Sequence, residues 1–342
     1  MSPIRCNHCV LSATFPGIKF DEKGVCNFCR DEILSTTGKE AVDAARSKVT
    51  ALIDQAAGKN AYDAVMCYSG GKDSTYTLKL AIETYGLSVL AFTFDNGYLS
   101  STALENIRKI TDALNIDHVT FKPAKRIFDN IILASAFERI YAPASLRRIS
   151  SGCYSCISIV NNMALQLALE KRAPFIVAGF TLGQIPANAI IYQNNYEFLK
   201  DSRRQTVERL HKFVGPKVHD YLTIPESMIT EQTRYPHTIN LLCLEQIQED
   251  EIVDSIRPLG WRQPDDVDGC SSNCRLNVFN NYIHQLKFGY SPYELELSHM
   301  IRSGLLDRDQ ALQKLSDQSE EQCTHIMDTL GVAKAQLENL RH

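Results

Sequence analysis

The segment that most restricts what this chain can fold into is Ser69-Gly70-Gly71-Lys72-Asp73-Ser74, which follows the apolar run at 62–68 (YDAVMCY). A short apolar run closed by a glycine turn reads as a buried strand, and a helix is expected to begin near Asp73 and run through Thr84. Two adjacent glycines let the backbone turn tightly and bring successive N–H groups up to one anion. The start of the helix adds its dipole, and Ser69 and Ser74 add hydroxyl donors. Lys72 can neutralise phosphate charge, and Asp73 can help hold a magnesium ion. The hexapeptide is not a Walker loop, which needs four residues between its first glycine and Gly-Lys-Ser/Thr.

The same alternation continues along the chain. Residues 87–94 (LSVLAFTF), 118–121, 175–180 (FIVAGF) and 238–244 (TINLLCL) read as further strands. Helices are expected over 38–57, 102–114, 127–141 and through 157–169, and again beyond Gly289, the last near 320–340. Such alternation predicts an α/β fold, a parallel doubly wound sheet covered on both faces. Ligands of these sheets sit beyond the carboxyl ends of the strands, where the loops after Tyr68, Phe94 and Phe180 would meet. The chain divides into a cysteine-rich unit at 1–35, the α/β unit at 36–288 and a helical segment at 289–342. With 44% hydrophobic residues it is not globally disordered, and no run approaches the ~18 apolar residues of a membrane span. A net charge of −4 disfavours a protein whose main task is holding nucleic acid, though a local basic groove stays open.

Eight of the eleven cysteines fall in close pairs. An odd count, and an opening that lacks an apolar leader, favour metal binding over a disulfide framework and an intracellular, cytoplasmic setting. Cys6, Cys9, Cys26 and Cys29 form two C-x2-C knuckles, four thiolates able to close a tetrahedron around zinc. About 35 residues cannot build their own core, so this ribbon would need Zn2+ to fold, and a closed site suits scaffolding or docking. Cys153-x2-Cys156 and Cys270-x3-Cys274 leave three readings open. They are a second zinc site, a redox disulfide in either pair, or an iron–sulfur cluster held by the first pair and one member of the second.

Ser69 to Ser74 after an apolar strand resembles the pyrophosphate-binding loop of the PP-loop ATP pyrophosphatases, the adenine-nucleotide alpha-hydrolase-like group. That resemblance implies cleavage of Mg-ATP between the α- and β-phosphates, adenylation of a carbonyl-type oxygen, and displacement of AMP by sulfur or nitrogen. It also implies that Asp95, Asn96 and Gly179 lie near the nucleotide. The later C-x2-C with a downstream cysteine resembles the tRNA thiolases of this group. It implies a [4Fe-4S] cluster on Cys153, Cys156 and either Cys270 or Cys274, delivering sulfur. The opening RCNHCVLSATFPGIKFDEKGVCNFC is similar to the start of N-acetyl sugar amidotransferases. So is the tail FGYSPYELELSHMIRSGLLDRDQAL, around Ile301-Arg302 and Arg308. That likeness implies ammonia from a glutaminase partner. Neither the acidic pair of the thiolases nor the Gly-Glu of the sugar enzymes follows the fourth strand, where this chain reads Gly179-Phe180-Thr181-Leu182-Gly183-Gln184.

The expectation is an AMP-forming ATP-dependent transferase, with Lys72, Asp73, Cys153 and Cys156 in the chemistry. Sulfur insertion leads and amide transfer is the alternative; a non-catalytic nucleotide-binding ribbon module is the reading from another class. Partners follow: a small-molecule or sugar acceptor or tRNA, a glutaminase or sulfur-donor protein, and no membrane insertion. The segment 183–192 (GQIPANAIIY) is a candidate wall of the acceptor pocket. Arg147-Arg148 and Arg203-Arg204 are candidates to meet phosphate or tRNA, with solvated charge as the default. Trp261, the one tryptophan, is expected to pack.

Overall fold

Strand propensity in this chain is concentrated in short Val-, Ile- and Phe-rich runs, and each becomes a strand of one sheet in the computed structural model. The structure describes residues 4–31, 33–195, 197, 204–230, 232–338 and 340; of the basic residues singled out above, Arg203 lies outside them. The strands are β1 (Ala64–Cys67), β2 (Val89–Phe94), β3 (Asp117–Phe121), β4 (Phe175–Val177), β5 (Ile191–Gln193) and β6 (His237–Ile239). Their order is β3-β2-β1-β4-β6-β5, and every neighbour pair is parallel except β5 with β6. The winding direction reverses between β1 and β4, which opens a crevice beyond their carboxyl ends.

Helices cover both faces. After a one-turn α1 (Asn27–Arg30), α2 (Ile33–Ala56), α3 (Lys72–Lys79) and α4 (Ser101–Ala113) share one face with the later α9 (Glu249–Ile256). On the other lie α5 (Lys125–Phe137), α6 (Ser151–Lys171), α7 (Arg204–Val214) and α8 (Val218–Leu222). Alternation along β1 shows the division: Ala64 and Met66 pack with Val49, Leu78 and Ile110, while Val65 packs with Phe128, Ile159 and Leu165. The C-terminal helices are α10 (Asn277–Phe288), α11 (Glu294–Arg302), α12 (Arg308–Ser316), α13 (Glu320–Leu330) and α14 (Lys334–Glu338). No helix among the described residues is long and apolar enough to cross a membrane.

Several boundaries differ from the sequence reading, among them the fourth strand, expected over 175–180, which ends at Val177. The fifth strand stops at Ile239, because β4 offers no partner beyond Val177; Leu241–Leu244 form a 3-10 turn whose apolar side chains bury under α2 and α3. The helix expected over 127–141 ends at Phe137, and the chain turns out at Glu138 to bury Ile140. The last helix breaks at Gly331, whose φ of +70° caps α13.

The ribbon is fastened to the C-terminal helices. Phe15 stacks edge-on against Tyr290, with ring centres 5.1 Å apart. Glu294, 1% exposed, accepts from Ser12 N (2.9 Å), Ser12 Oγ (2.8 Å) and Ser291 N (3.2 Å), and pairs with Arg5 (2.9 Å). Arg308 donates to the carbonyls of Cys6 and Cys9, both at 3.1 Å.

Candidate functional site

The Ser69–Ser74 turn joins β1 to α3 at the point where the sheet order reverses. It is shaped before any ligand arrives. Ser74 Oγ donates to Gly71 O (3.1 Å) and accepts from Ser69 N (3.3 Å) and Ser69 Oγ (3.0 Å). Gly70 has φ +76°, and a Cβ there would lie 2.5 Å from Ala103 O, so only glycine fits. The Gly70 carbonyl is held by Trp261 Nε1 at 3.0 Å and by Asn106 Nδ2 at 3.4 Å. Trp261 thus packs as expected and also braces the turn. Gly179, just past β4, abuts the first turn of α3: a Cβ would sit 3.0 Å from Ser74 Cα.

Lys72 and Asp73 face a cavity of about 160 Å3 bounded by Thr181, Gln184, Cys243, Glu249, Cys270, Tyr293, Glu296 and His299. Burial opposes the Lys72 charge. Asp73 at 2.8 Å and Glu249 at 3.7 Å outweigh that and hold the ammonium protonated. Glu296 receives a 2.7 Å hydrogen bond from Thr181 Oγ1. Its burial raises its carboxyl to about 7; the Thr181 bond works against the rise and the Asp73 charge adds to it. Of the segment 183–192, Gln184 reaches this cavity, while its far end forms β5.

A second group of side chains gathers behind the turn. Residues 273–275 are laced to the loop after β2: Ser100 N donates to Asn273 O and Arg275 N to Tyr98 O, both at 2.9 Å. Ser272 reaches the glycine turn, accepting from Lys72 N at 3.1 Å. This placement sets Cys274 beside Cys153 and Cys156, which lie one turn apart at the start of α6 under a Ser150 cap. Asn96 Nδ2 lies 3.5 Å from Cys274 Sγ and 3.9 Å from Cys156 Sγ, and Asn280 Nδ2 donates to Cys153 Sγ at 3.4 Å. Burial pushes the Cys153 thiol up to about 12 and raises Cys156 and Cys274 as well. Three half-buried thiols whose surroundings disfavour the thiolate, lined by amide donors, fit a cationic metal cluster that would accept them as thiolates. Cys270 stands apart, its Sγ 3.5 Å from Lys314 O on the cavity wall. Asp95 pairs with Lys122 at 2.9 Å, and Asn96 is turned to the sulfurs.

The sulfurs of Cys6, Cys9, Cys26 and Cys29 all lie within 4.8 Å of one another, with Cys9–Cys26 at 3.8 Å and Cys6–Cys29 at 4.0 Å. A tetrahedron with ~2.3 Å metal–sulfur bonds has edges of about 3.8 Å, so these residues fit one ion. The backbone N–H groups of His8, Cys9 and Cys26 point at Cys6 Sγ (3.2–3.5 Å) and would offset thiolate charge.

Sequence reasoning missed Glu249, Glu296, His299 and Asn280. A signal was present for one: Glu294 and Glu296 alternate with Leu295 and Leu297, which places carboxylates next to apolar residues expected to be buried.

Fold and site together define an α/β protein with a mostly parallel sheet, a glycine turn at its switch point, a metal-binding ribbon and a helical C-terminal segment. The family model described as LPS biosynthesis protein WbpG-like, C-terminal domain, matches residues 271–341. An uncharacterized protein of Methanocaldococcus jannaschii is 23% identical over 315 residues, 91% of this chain and 93% of that protein. Among solved structures, the U34-tRNA thiolase NcsA from Methanococcus maripaludis, with its [4Fe-4S] cluster, aligns over 98% of this chain and all of that one. The identity there is 15% and the TM-score 0.36.

Proposed function

We propose that this protein is an AMP-forming PP-loop transferase that adenylates a carbonyl-type oxygen and replaces it with sulfur. The observation that carries the reading is the preformed Ser69–Ser74 turn, with Lys72 and Asp73 lining the adjoining cavity. Backbone N–H groups of the turn and the Ser69 and Ser74 hydroxyls grip the β- and γ-phosphates, Lys72 neutralises them, and Asp73 holds Mg2+. Asp95 and Gly179 border the nucleotide. The acceptor oxygen attacks the α-phosphorus as the bond to pyrophosphate breaks; a nucleophile then adds to the activated carbon and AMP leaves with the oxygen. Cys153, Cys156 and Cys274 would hold the [4Fe-4S] cluster, which would carry a sulfide taken from a sulfur-donor partner to the activated carbon. Asn96 and Asn280 orient the thiolates. Cys6, Cys9, Cys26 and Cys29 would hold zinc and so fix the ribbon segments that dock on Glu294 and Arg308.

A second reading, transfer of amide nitrogen to an acetamido sugar with ammonia from a glutaminase, is favoured by the match of residues 271–341 to a WbpG-like domain. Anaerobic purification followed by iron, labile sulfide and visible absorption separates the two. Sulfur insertion requires about four irons per chain, lost in Cys274→Ala and kept in Cys270→Ala. A colourless, iron-free protein that still forms AMP and pyrophosphate would establish the amide reading.

A further inference from the structure

Two guanidinium groups, those of Arg148 and Arg302, lie near His299 on the cavity wall, and no carboxylate among the described residues pairs with either. Arg148, just before α6, is half-buried and donates through Nη1 to the carbonyl of Gly183. Gly183 is pressed against α11: a Cβ there would meet Glu296 Cα at 2.8 Å and His299 Cβ at 3.3 Å. One turn further along α11, on the same face as His299, is Arg302, and its Nη1 is buried without a hydrogen-bond partner. No carboxylate pairs with Arg148 or Arg302 among the described residues. Burial and the Arg302 charge both lower Arg148, and burial with both arginines lowers His299 to about 4. Half-buried like charges left unbalanced are costly and persist where an anion completes them. Planar guanidiniums in pairs match the oxygens of a phosphate.

We propose that Arg148, Arg302 and His299 form a seat for a phosphate group carried by a small-molecule acceptor. This rests on the function proposed above, because His299, the seat's third member, lines the same cavity as Lys72 and Asp73. The phosphate anchors one end of the acceptor while its reacting oxygen reaches the α-phosphorus of ATP. A cavity of about 160 Å3 and a chain of net charge −4 suit a small phosphorylated molecule better than a nucleic-acid backbone.

The test is calorimetric titration of inorganic phosphate into the full-length protein saturated with a non-hydrolysable ATP analogue, so that the glycine turn is already filled. Wild type is expected to bind phosphate. Arg302→Gln, which removes a side chain that no hydrogen bond ties to the fold, is expected to weaken it at least about tenfold, with partial recovery in Arg302→Lys. Arg148→Gln with Arg302→Gln should abolish binding, while affinity for the analogue stays unchanged throughout. Equal phosphate binding by wild type and the double variant, or none by wild type, would overturn the seat. So would a parallel loss of analogue affinity, which would assign the arginines to ATP. If the analogue fails to bind wild type, the nucleotide reading falls, and the phosphate titration run without it still decides the seat.

Discussion

Glu296 is a carboxyl buried beside another carboxylate, and its proton is tied to pH. Burial raises it to about 7 from 4.5, against the pull of the Thr181 bond. Below pH 4.5 both folded and unfolded chains hold the proton and the group is neutral to stability. Between 4.5 and 7 the folded chain binds more protons, so stability falls as pH rises through that window. At pH 8 the penalty is at most about 3 kcal/mol. Glu296→Gln should therefore melt higher than wild type at pH 8 and within about a degree of it at pH 4.5. An equal difference at both pH values would show that the carboxylate is balanced by a charge not identified here. Lys72 has the reverse dependence on its partners: Asp73 and Glu249 keep it charged against burial. Removing either partner's charge, as in Glu249→Gln, should lower the pH at which ATP affinity begins to fall.

At the scale of elements, the turn between β1 and α3 depends on glycine for two separable reasons. Gly70 and Gly58 share a left-handed backbone, φ +76° and +74°, but only Gly70 faces a close neighbour. Gly58→Ala should cost about 1 kcal/mol. Gly70→Ala should cost several kcal/mol more in chemical denaturation, since Ala103 O is backbone and cannot swing away. Equal costs would mean that α4 yields freely. This turn was legible in the sequence because strand, glycines and helix start are all local signals. The thiol group was legible only in part. Spacing cannot distinguish Cys270 from Cys274; pairing of residues 273–275 with the loop after β2 does. Glu296 escaped because Thr181 and Asp73, the groups that act on it, lie far from it in the sequence, beyond the ends of β4 and β1. The run at 241–244 is apolar enough for a buried strand, and what decides against it is the missing neighbour beyond Val177.

At the scale of the molecule, the N-terminal ribbon and the C-terminal helices form one assembly, joined through Glu294, Arg5 and Arg308. The ribbon's own core is small, so its metal and its docking surface stabilise it together. Stripping the metal with a chelator should release about one zinc per chain and lower the melting temperature, and Glu294→Ala should ease that release. Zinc release without any change in melting would mean that the ribbon folds independently of its ion. The sheet, the turn and the cavity meet in a single claim, that the Ser69–Ser74 turn grips the phosphates of ATP. Its most direct test is calorimetric binding of a non-hydrolysable ATP analogue to wild type and to Lys72→Ala and Ser74→Ala. Binding to wild type that weakens at least about tenfold in each variant is the predicted result. Undiminished affinity in both variants would contradict it.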